Sequence, residues 1–193
     1  CHVYVDRDCD WKMAEDIVNH YEDLTKEKPK IIQKAMIVCS TREIAFRLLN
    51  KILNIRPEWG EAKKAQNENE LSKRELDKLV SLPKINLVAT RDADDEEELY
   101  EACGTKDYRK MLDKQFKNNN SNFKIAVVVD MWITGFDVPS LAVMYIDKPL
   151  QKHTLIQTIS RVNRVFEGKD KGLVVDYIGI KKNMMEAIKM YGD

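Results

Sequence analysis

Residues 124–147 read "KIAVVVDMWITGFDVPSLAVMYID", two apolar runs on either side of a short polar segment. Continuous apolar runs of this length are typical of strands that are buried on both faces of a parallel sheet. We therefore predict that KIAVVVD and LAVMYID are strands, the third and the fourth along the chain. The segment TGFDVPS connects them.

Three more apolar runs predict the other strands: KAMIVCS at 34–40, KINLVAT at 84–90 and GLVVDYI at 172–178. Helical patterns alternate with them, at 10 to about 28, at STREIAFRLLNKIL (40–53), around KDYRKMLDKQF (106–116), at QTISRVNR (157–164) and at IKKNMMEAIKM (180–190). Ser40 or Thr41 is the expected N-cap of the second of these helices, with Glu43 placed as in a capping box. This alternation predicts an α/β fold, a parallel β-sheet with helices on both faces.

The predicted sheet gives the domain organisation. Residues 1–30 form an N-terminal helical segment and linker, residues 31–182 the main domain, and residues 183–193 a C-terminal helix. Residues 60–82 are charged and helical in composition, which predicts an exposed insertion. The acidic run DADDEEE (92–98) is interpreted as a solvated loop or helix start, because Arg91 and Asp92 separate it from the strand that would position a magnesium ligand.

The composition is that of an ordinary globular chain, with 44% apolar and 33% charged residues in 193. No apolar run approaches the roughly 20 residues that span a bilayer. The formal charge is zero, so any binding of nucleic acid has to be local. Four cysteines without a C-x-x-C pair favour a reduced cytoplasmic protein with no metal site. The opening CHVYVDRDCD lacks an initiator Met, and we expect a segment of a longer polypeptide.

Candidate functional residues follow three of the predicted strands, at the edge where parallel sheets bind ligands. They lie in CSTRE, in DMWITGFDVP and in the helix that contains QTISRVNR. Gly135 permits close approach of the backbone to a phosphate, and Asp137 is an acceptor for a hydroxyl. A plain Gly-Asp-Pro turn is the alternative interpretation. No G-x-x-x-x-G-K-[ST] occurs, so no loop of this chain holds a triphosphate by itself.

The helix with QTISRVNR has a polar and an apolar face. At 3.6 residues per turn one face carries Gln157, Ser160, Arg161 and Arg164, and the other carries Leu155, Ile159, Val162 and Phe166. The apolar face is expected to pack on the core. The arginines on the polar face are either solvated or functional, and their pattern alone leaves both interpretations open.

Several motifs in order resemble one family. KIAVVVDMWITGFDVPSLAVMYIDKPL followed by HTLIQTISRVNRVFEGKDKGLVVDYIGI resembles the second RecA-like motor domain of type I restriction enzyme R subunits, which are superfamily-two DNA translocases. IVCSTREIAFRLLNKI resembles an earlier motif of the same domain, and the similarity extends from about residue 31 to 182. The resemblance implies a RecA-like fold for this region.

The resemblance also implies site residues. The first group contacts the DNA backbone and comprises Ser40, Thr41, Arg42 and Thr134, with Gly135 also facing DNA. The second group serves the nucleotide: Gly135, Asp137 beside the ribose, and Gln157, Arg161 and Arg164, which match Q-x-x-G-R-x-x-R with Ser160 in place of the glycine. Arg161 and Arg164 would be the catalytic pair, acting on the γ-phosphate.

The implied activity is that of an ATP-dependent type I site-specific deoxyribonuclease. ATP and Mg²⁺ would be bound mainly by an N-terminal RecA-like lobe of the parent chain, so the isolated chain is expected to be inactive. Other expected partners are DNA, a nuclease domain of the parent, and modification and specificity subunits, without a membrane, in the cytoplasm. Two alternatives are a motor lobe of another superfamily-two helicase or remodeller and a non-enzymatic α/β binding module.

Overall fold

The computed structural model describes residues 2–29, 34–132, 136–163 and 172–179, with the backbone alone described for residues 2–9 and 152. Its strands are β1 (Lys34–Cys39), β2 (Ile85–Val88), β3 (Ile125–Val128), β4 (Leu141–Asp147) and β5 (Leu173–Asp176). Its helices are α1 (His2–Glu27), α2 (Arg42–Ile55), α3 (Lys73–Leu76), α4 (Glu97–Cys103), α5 (Lys106–Lys117) and α6 (Lys152–Val162). None of the described helices is long and apolar enough to cross a bilayer. The predicted closing helix lies outside the described residues.

The five strands form one parallel sheet in the order β2-β3-β1-β4-β5. In the central strand β1, Met36 pairs with Ala126 of β3 and with Met144 of β4. Side chains of β1 alternate between two cores: Ile37 belongs to the core under α1, α2 and α4, and Val38 to the core under α5 and α6. Because both faces are covered, every residue of β1, β3 and β4 is buried, and the predicted α/β fold class is confirmed.

Helix α1 is an integral part of the first core. Ala14, Ile17 and Tyr21 are buried within it, and two long-range contacts fasten the helix to the sheet. His20 Nδ1 shares a hydrogen bond of 2.7 Å with the Tyr145 hydroxyl of β4, and the hydroxyl of Tyr177, just after β5, donates to Asp16. The N-terminal segment therefore packs as a layer of the same domain.

The predicted insertion is helical only in part. Within it α3 is a single turn, begun by a capping box between Ser72 and Glu75, and a 3₁₀ turn lies at Glu68–Glu70. Leu79 and Leu82 are buried and anchor the segment to the domain, and Trp59, in the 3₁₀ turn Pro57–Gly60 just before it, is also buried. Helical composition alone overestimated the amount of helix.

Two lysines are buried at the amino edge of the sheet. Lys34 donates to the carbonyl oxygens of Phe123 at 2.7 Å and Asn118 at 3.1 Å, and Lys124 donates to that of Asn119 at 2.8 Å. Burial lowers the pKa of Lys34 well below its usual range, with a further contribution from the charge of Lys124. Burial likewise lowers the pKa of Lys124 to about 8.

The lowered pKa of Lys124 predicts a stability that rises with pH. Above pH 8 the folded chain loses this proton while the unfolded chain keeps it up to its usual pKa, so the free energy of unfolding should increase by about 2 kcal/mol between pH 8 and 9.5. Lys124→Met should remove that part of the rise, measured by urea unfolding at both pH values. Lys110→Met, at an exposed position of α5, is the matched control and should keep it. An unchanged rise in Lys124→Met would assign the titration to another group.

Candidate functional site

All five described strands end at the same edge of the sheet, because they are parallel. A pocket of about 230 Å³ opens there over the ends of β2, β3 and β1. It is lined by Ser40, Thr41, Arg42, Glu43, Ala89, Thr90, Val129, Asp130 and Met131. The structure thus brings together, at the carboxyl edge, the three residues of CSTRE that were predicted to contact the DNA backbone.

The start of α2 forms one wall of this pocket. Thr41 is the N-cap, and its hydroxyl accepts a hydrogen bond of 3.2 Å from the Ile44 amide. Ser40, the other expected N-cap, instead donates to the Asp147 carbonyl at the end of β4, at 3.0 Å. The pKa of Glu43 is lowered by a hydrogen bond from the Glu43 backbone amide and by one from Thr41. The first turn of α2 therefore carries a carboxylate.

Arg42 is ion-paired inside the domain. Its Nη2 lies 2.9 Å from Asp95 Oδ1, and its Nη1 lies 3.9 Å from Asp92 Oδ2 and donates to the Thr90 carbonyl at 3.2 Å. The Asp95 side chain is only 2% exposed. The prediction that the acidic run is solvated is therefore wrong for Asp95, because Arg42 draws that carboxylate inward. The predicted helix start is right, since α4 begins at Glu97.

A second ion pair at this edge was missed by the sequence analysis. Lys148, directly after β4, pairs with Asp130, which follows β3. Asp130 is the last residue of the predicted strand KIAVVVD, and Lys148 directly follows the predicted strand LAVMYID, so the sequence already placed both at one edge of the sheet. Arg42 and Lys148 are thus both paired with carboxylates at this edge.

Helix α6 is rotated relative to the prediction. Val162 and Thr158 are buried and Leu155 is half-buried, as expected for Leu155 and Val162. Ile159 is 42% exposed, so its predicted place on the core is wrong. The spacing 155, 158, 162 follows the helical repeat, and Thr158 takes the place that was assigned to Ile159. Phe166 lies outside the described residues.

Arg161, near the end of α6, is held by a backbone carbonyl. Its Nη1 donates to the carbonyl oxygen of Phe136, and its buried Nε has no hydrogen-bond partner among the described residues. Gln157, one turn earlier on α6, is exposed. Ser160, at the position of the expected glycine, donates back to the carbonyl oxygens of Ile156 and Gln157 at 3.0 and 2.9 Å.

The predicted site residues therefore form two groups in the described part of the chain. Ser40, Thr41 and Arg42 share the pocket over β1. Arg161 reaches Phe136, the neighbour of the exposed Asp137. Thr134, Gly135 and Arg164 lie outside the described residues.

Comparison with known protein families shows to which family this chain belongs. The family model "Type I restriction enzyme subunit R domain 3" matches residues 12–179. The chain belongs to this family. The HindI endonuclease subunit of Haemophilus influenzae, a type I restriction enzyme, is 37% identical over 183 residues. That match covers 93% of this chain and 16% of the HindI subunit, so the R-subunit domain described here spans about a sixth of that relative.

Two further proteins are similar to this R-subunit domain. The type I restriction enzyme SauCOLORF180P endonuclease subunit of Staphylococcus aureus is 39% identical over 90 residues, which is 45% of this chain and 10% of that protein. Among solved structures, the Hef helicase domain of Pyrococcus furiosus is matched over 91% of this chain and 27% of its own, with a TM-score of 0.48 and 12% identity.

Gly172 packs against the end of α6 in the R-subunit domain. A Cβ at this position would lie 1.9 Å from the Val162 carbonyl oxygen and 2.5 Å from the Val162 side chain. Only glycine lets the chain pass this close to the last turn of α6, one residue beyond Arg161. The last turn of α6, which carries Arg161, therefore lies beside the start of β5.

The buried Nε of Arg161 has no hydrogen-bond partner in the part of the chain that the structure describes. In the described part of the R-subunit domain, no three His, Cys, Asp or Glu side chains come together as a metal site.

Proposed function

We propose that this chain is the C-terminal motor lobe of the ATP-dependent, DNA-translocating R subunit of a type I restriction enzyme. Membership of the R-subunit family supports the proposal. The observation that carries it is Arg161, whose guanidinium is fixed by the Phe136 carbonyl and whose buried Nε has no hydrogen-bond partner among the residues that the structure describes. ATP turnover by Arg161 and Arg164 variants of the parent enzyme tests it.

Arg161 and Arg164 are proposed to stabilise charge on the γ-phosphate. ATP, when bound, supplies the phosphoryl group and an electrophilic phosphorus, and the transition state spreads charge over its oxygens. A planar guanidinium that is already oriented can donate to those oxygens without rearrangement. Gln157, Gly135 and Asp137 are proposed to position the rest of the nucleotide. Mg²⁺ and the triphosphate would be held mainly by an N-terminal lobe of the parent chain.

The pocket over β1 is the proposed path of the DNA backbone. The first turn of α2 offers amide groups without helical partners and the positive end of the helix dipole, both of which suit a phosphate. Ser40, Thr41, Arg42 and Thr134 are the proposed contacts. These groups do not read base edges, so binding should be independent of sequence.

The wider assembly follows from the same proposal. The parent chain would add an N-terminal RecA-like lobe and a nuclease domain, and would act with modification and specificity subunits in the cytoplasm. Those domains and subunits would determine where the DNA is cut and which sequence is recognised.

The ion pair between Arg42 and Asp95 predicts how this domain binds DNA. Because Asp95 competes with phosphate for Arg42, Asp95→Asn should strengthen binding about two- to threefold, and Arg42→Ala should weaken it. The slope of log affinity against log salt should be shallow, about −1 and not beyond −3, and should flatten in Arg42→Ala. Fluorescence anisotropy with two unrelated single strands at several salt concentrations measures both.

Asp107→Asn is the matched control, because Asp107 is 95% exposed at the start of α5, with only a 4.0 Å surface pair to Lys110. It should change affinity much less than Asp95→Asn. The proposed DNA path would be contradicted if the unsubstituted domain and the Arg42→Ala variant bound DNA equally well. A strong preference for one of the two strands would also contradict it.

A further inference from the structure

Trp132 has a backbone conformation that is unusual for its size. Its φ is +66°, in the left-handed region, where a residue with a bulky side chain costs about 1–3 kcal/mol. It lies after β3, two residues beyond Asp130, and its side chain is buried, with 8% exposed. A strained conformation of this kind persists only where surrounding contacts hold it.

Two stacked rings hold Trp132 in place. Its ring lies parallel to that of Phe136, with centroids 4.2 Å apart and planes 2° apart. On Phe116 of α5 it stacks at 5.3 Å and 21°, and Phe116 stacks on Phe136 at 6.0 Å. We call Phe116, Trp132 and Phe136 the aromatic brace. Stacked aromatic pairs are each worth about 0.5–1.5 kcal/mol beyond their buried area, comparable with the cost of the strained backbone.

The brace ends on the atom that holds Arg161. Phe136 contributes its ring to the stack and its carbonyl oxygen to Arg161 Nη1. The orientation of that carbonyl depends on where the ring of Phe136 lies, and the ring lies against Trp132. The chain of contact therefore runs from α5 through Trp132 and Phe136 to the guanidinium on α6.

We propose that Trp132 is a positioning residue for Arg161, setting through Phe136 the orientation in which the guanidinium meets the nucleotide. This inference rests on the proposed function of Arg161. Trp132 itself contacts no reacting atom. Its role is to keep the guanidinium oriented before the transition state forms, where a displacement of about 1 Å can cost as much as 100-fold in rate.

The test uses ATP hydrolysis by the full-length parent R subunit in its assembled enzyme. Trp132→Leu should lower kcat about 10- to 100-fold while KM for ATP changes less than about threefold, because the displaced group acts chiefly in the transition state. Trp132→Phe keeps a ring in the stack and should stay within about threefold of the parent. Trp59→Leu is the matched control, since Trp59 is equally buried in the other core, and it should leave kcat unchanged.

A double-mutant cycle separates positioning from a general packing effect. If Trp132 acts through Arg161, then Trp132→Leu should cost almost nothing further in the Arg161→Ala background. An undiminished loss in that background, or an unchanged kcat in Trp132→Leu when Arg161→Ala is inactive, would overturn the inference. If Arg161→Ala itself keeps near-normal turnover, it is the proposed function that fails.

A second variant tests the inference if Trp132→Leu does not fold. Phe136→Leu removes the opposite ring of the stack while keeping the backbone carbonyl that Arg161 uses. It should reproduce the fall in kcat and the same loss of effect in Arg161→Ala. Normal kcat in a folded Phe136→Leu enzyme would equally overturn the inference.

Discussion

Arg161→Ala or Arg164→Ala in the full-length R subunit should lower ATP turnover by about 10³-fold or more. The guanidinium is expected to donate to phosphoryl oxygens that gain charge as the bond to the leaving group breaks. The affinity for ATP should change much less, because the same oxygens carry less of that charge in the ground state. Steady-state hydrolysis in the presence of DNA, with nucleotide binding measured separately, distinguishes the two effects.

Matched substitutions show whether the loss is specific. Arg74→Ala replaces an exposed arginine on α3, far along the chain from α6, and should leave turnover unchanged. Arg161→Lys keeps the positive charge but loses the planar fork that donates to the Phe136 carbonyl and is proposed to donate to a phosphate, and should recover little activity. If both alanine variants hydrolyse ATP within a few-fold of the parent, the proposed role of the two arginines is wrong.

The isolated 193-residue chain should hydrolyse no ATP above background, even with DNA and Mg²⁺. It contains no G-x-x-x-x-G-K-[ST], and the arginines are proposed to act on a phosphate that another lobe of the parent chain would hold. The expected difference from the parent enzyme is therefore complete loss of the activity. Phosphate release by the highly purified chain, over a wide range of protein concentration, measures it.

A parallel preparation of the Arg161→Ala chain identifies contamination, since any contaminating ATPase would be equally active in both. Turnover that needs DNA and Mg²⁺, grows with the amount of chain and disappears in Arg161→Ala would show that this lobe forms a whole site by itself. That result would contradict the division of the nucleotide site between two lobes.

The sheet could be predicted from the sequence because its signal is local. The run LAVMYID coincides with β4 residue for residue, and its continuous apolar character correctly indicated burial on both faces. The same reasoning failed for GLVVDYI, since Leu173 in β5, the last strand in the sheet order, is 41% exposed. Lys34 shows where that reasoning stops. A lysine at the start of a strand is expected to reach solvent, yet it is buried against carbonyl oxygens of Asn118 and Phe123, more than 80 positions away.

The location of the candidate site at one edge of the sheet could be predicted, but the contacts between its side chains could not. The motifs brought Ser40, Thr41 and Arg42 to one place, as parallel strands require. That Asp95 neutralises Arg42 depends on how α4 packs beside α2, which no local pattern encodes. The rotation of α6, which leaves Ile159 exposed, depends on tertiary packing in the same way.

The fastening of α1 to the sheet has a mechanical consequence. His20 and Asp16 join α1 to Tyr145 and Tyr177, which lie 125 and 161 positions further along the chain. A pull on α1 reaches the interior of the sheet and its far strand at once, without travelling along the intervening backbone. Helix α1 and the sheet are therefore mechanically coupled. We expect α1 and the sheet to unfold together under tension, and not one after the other.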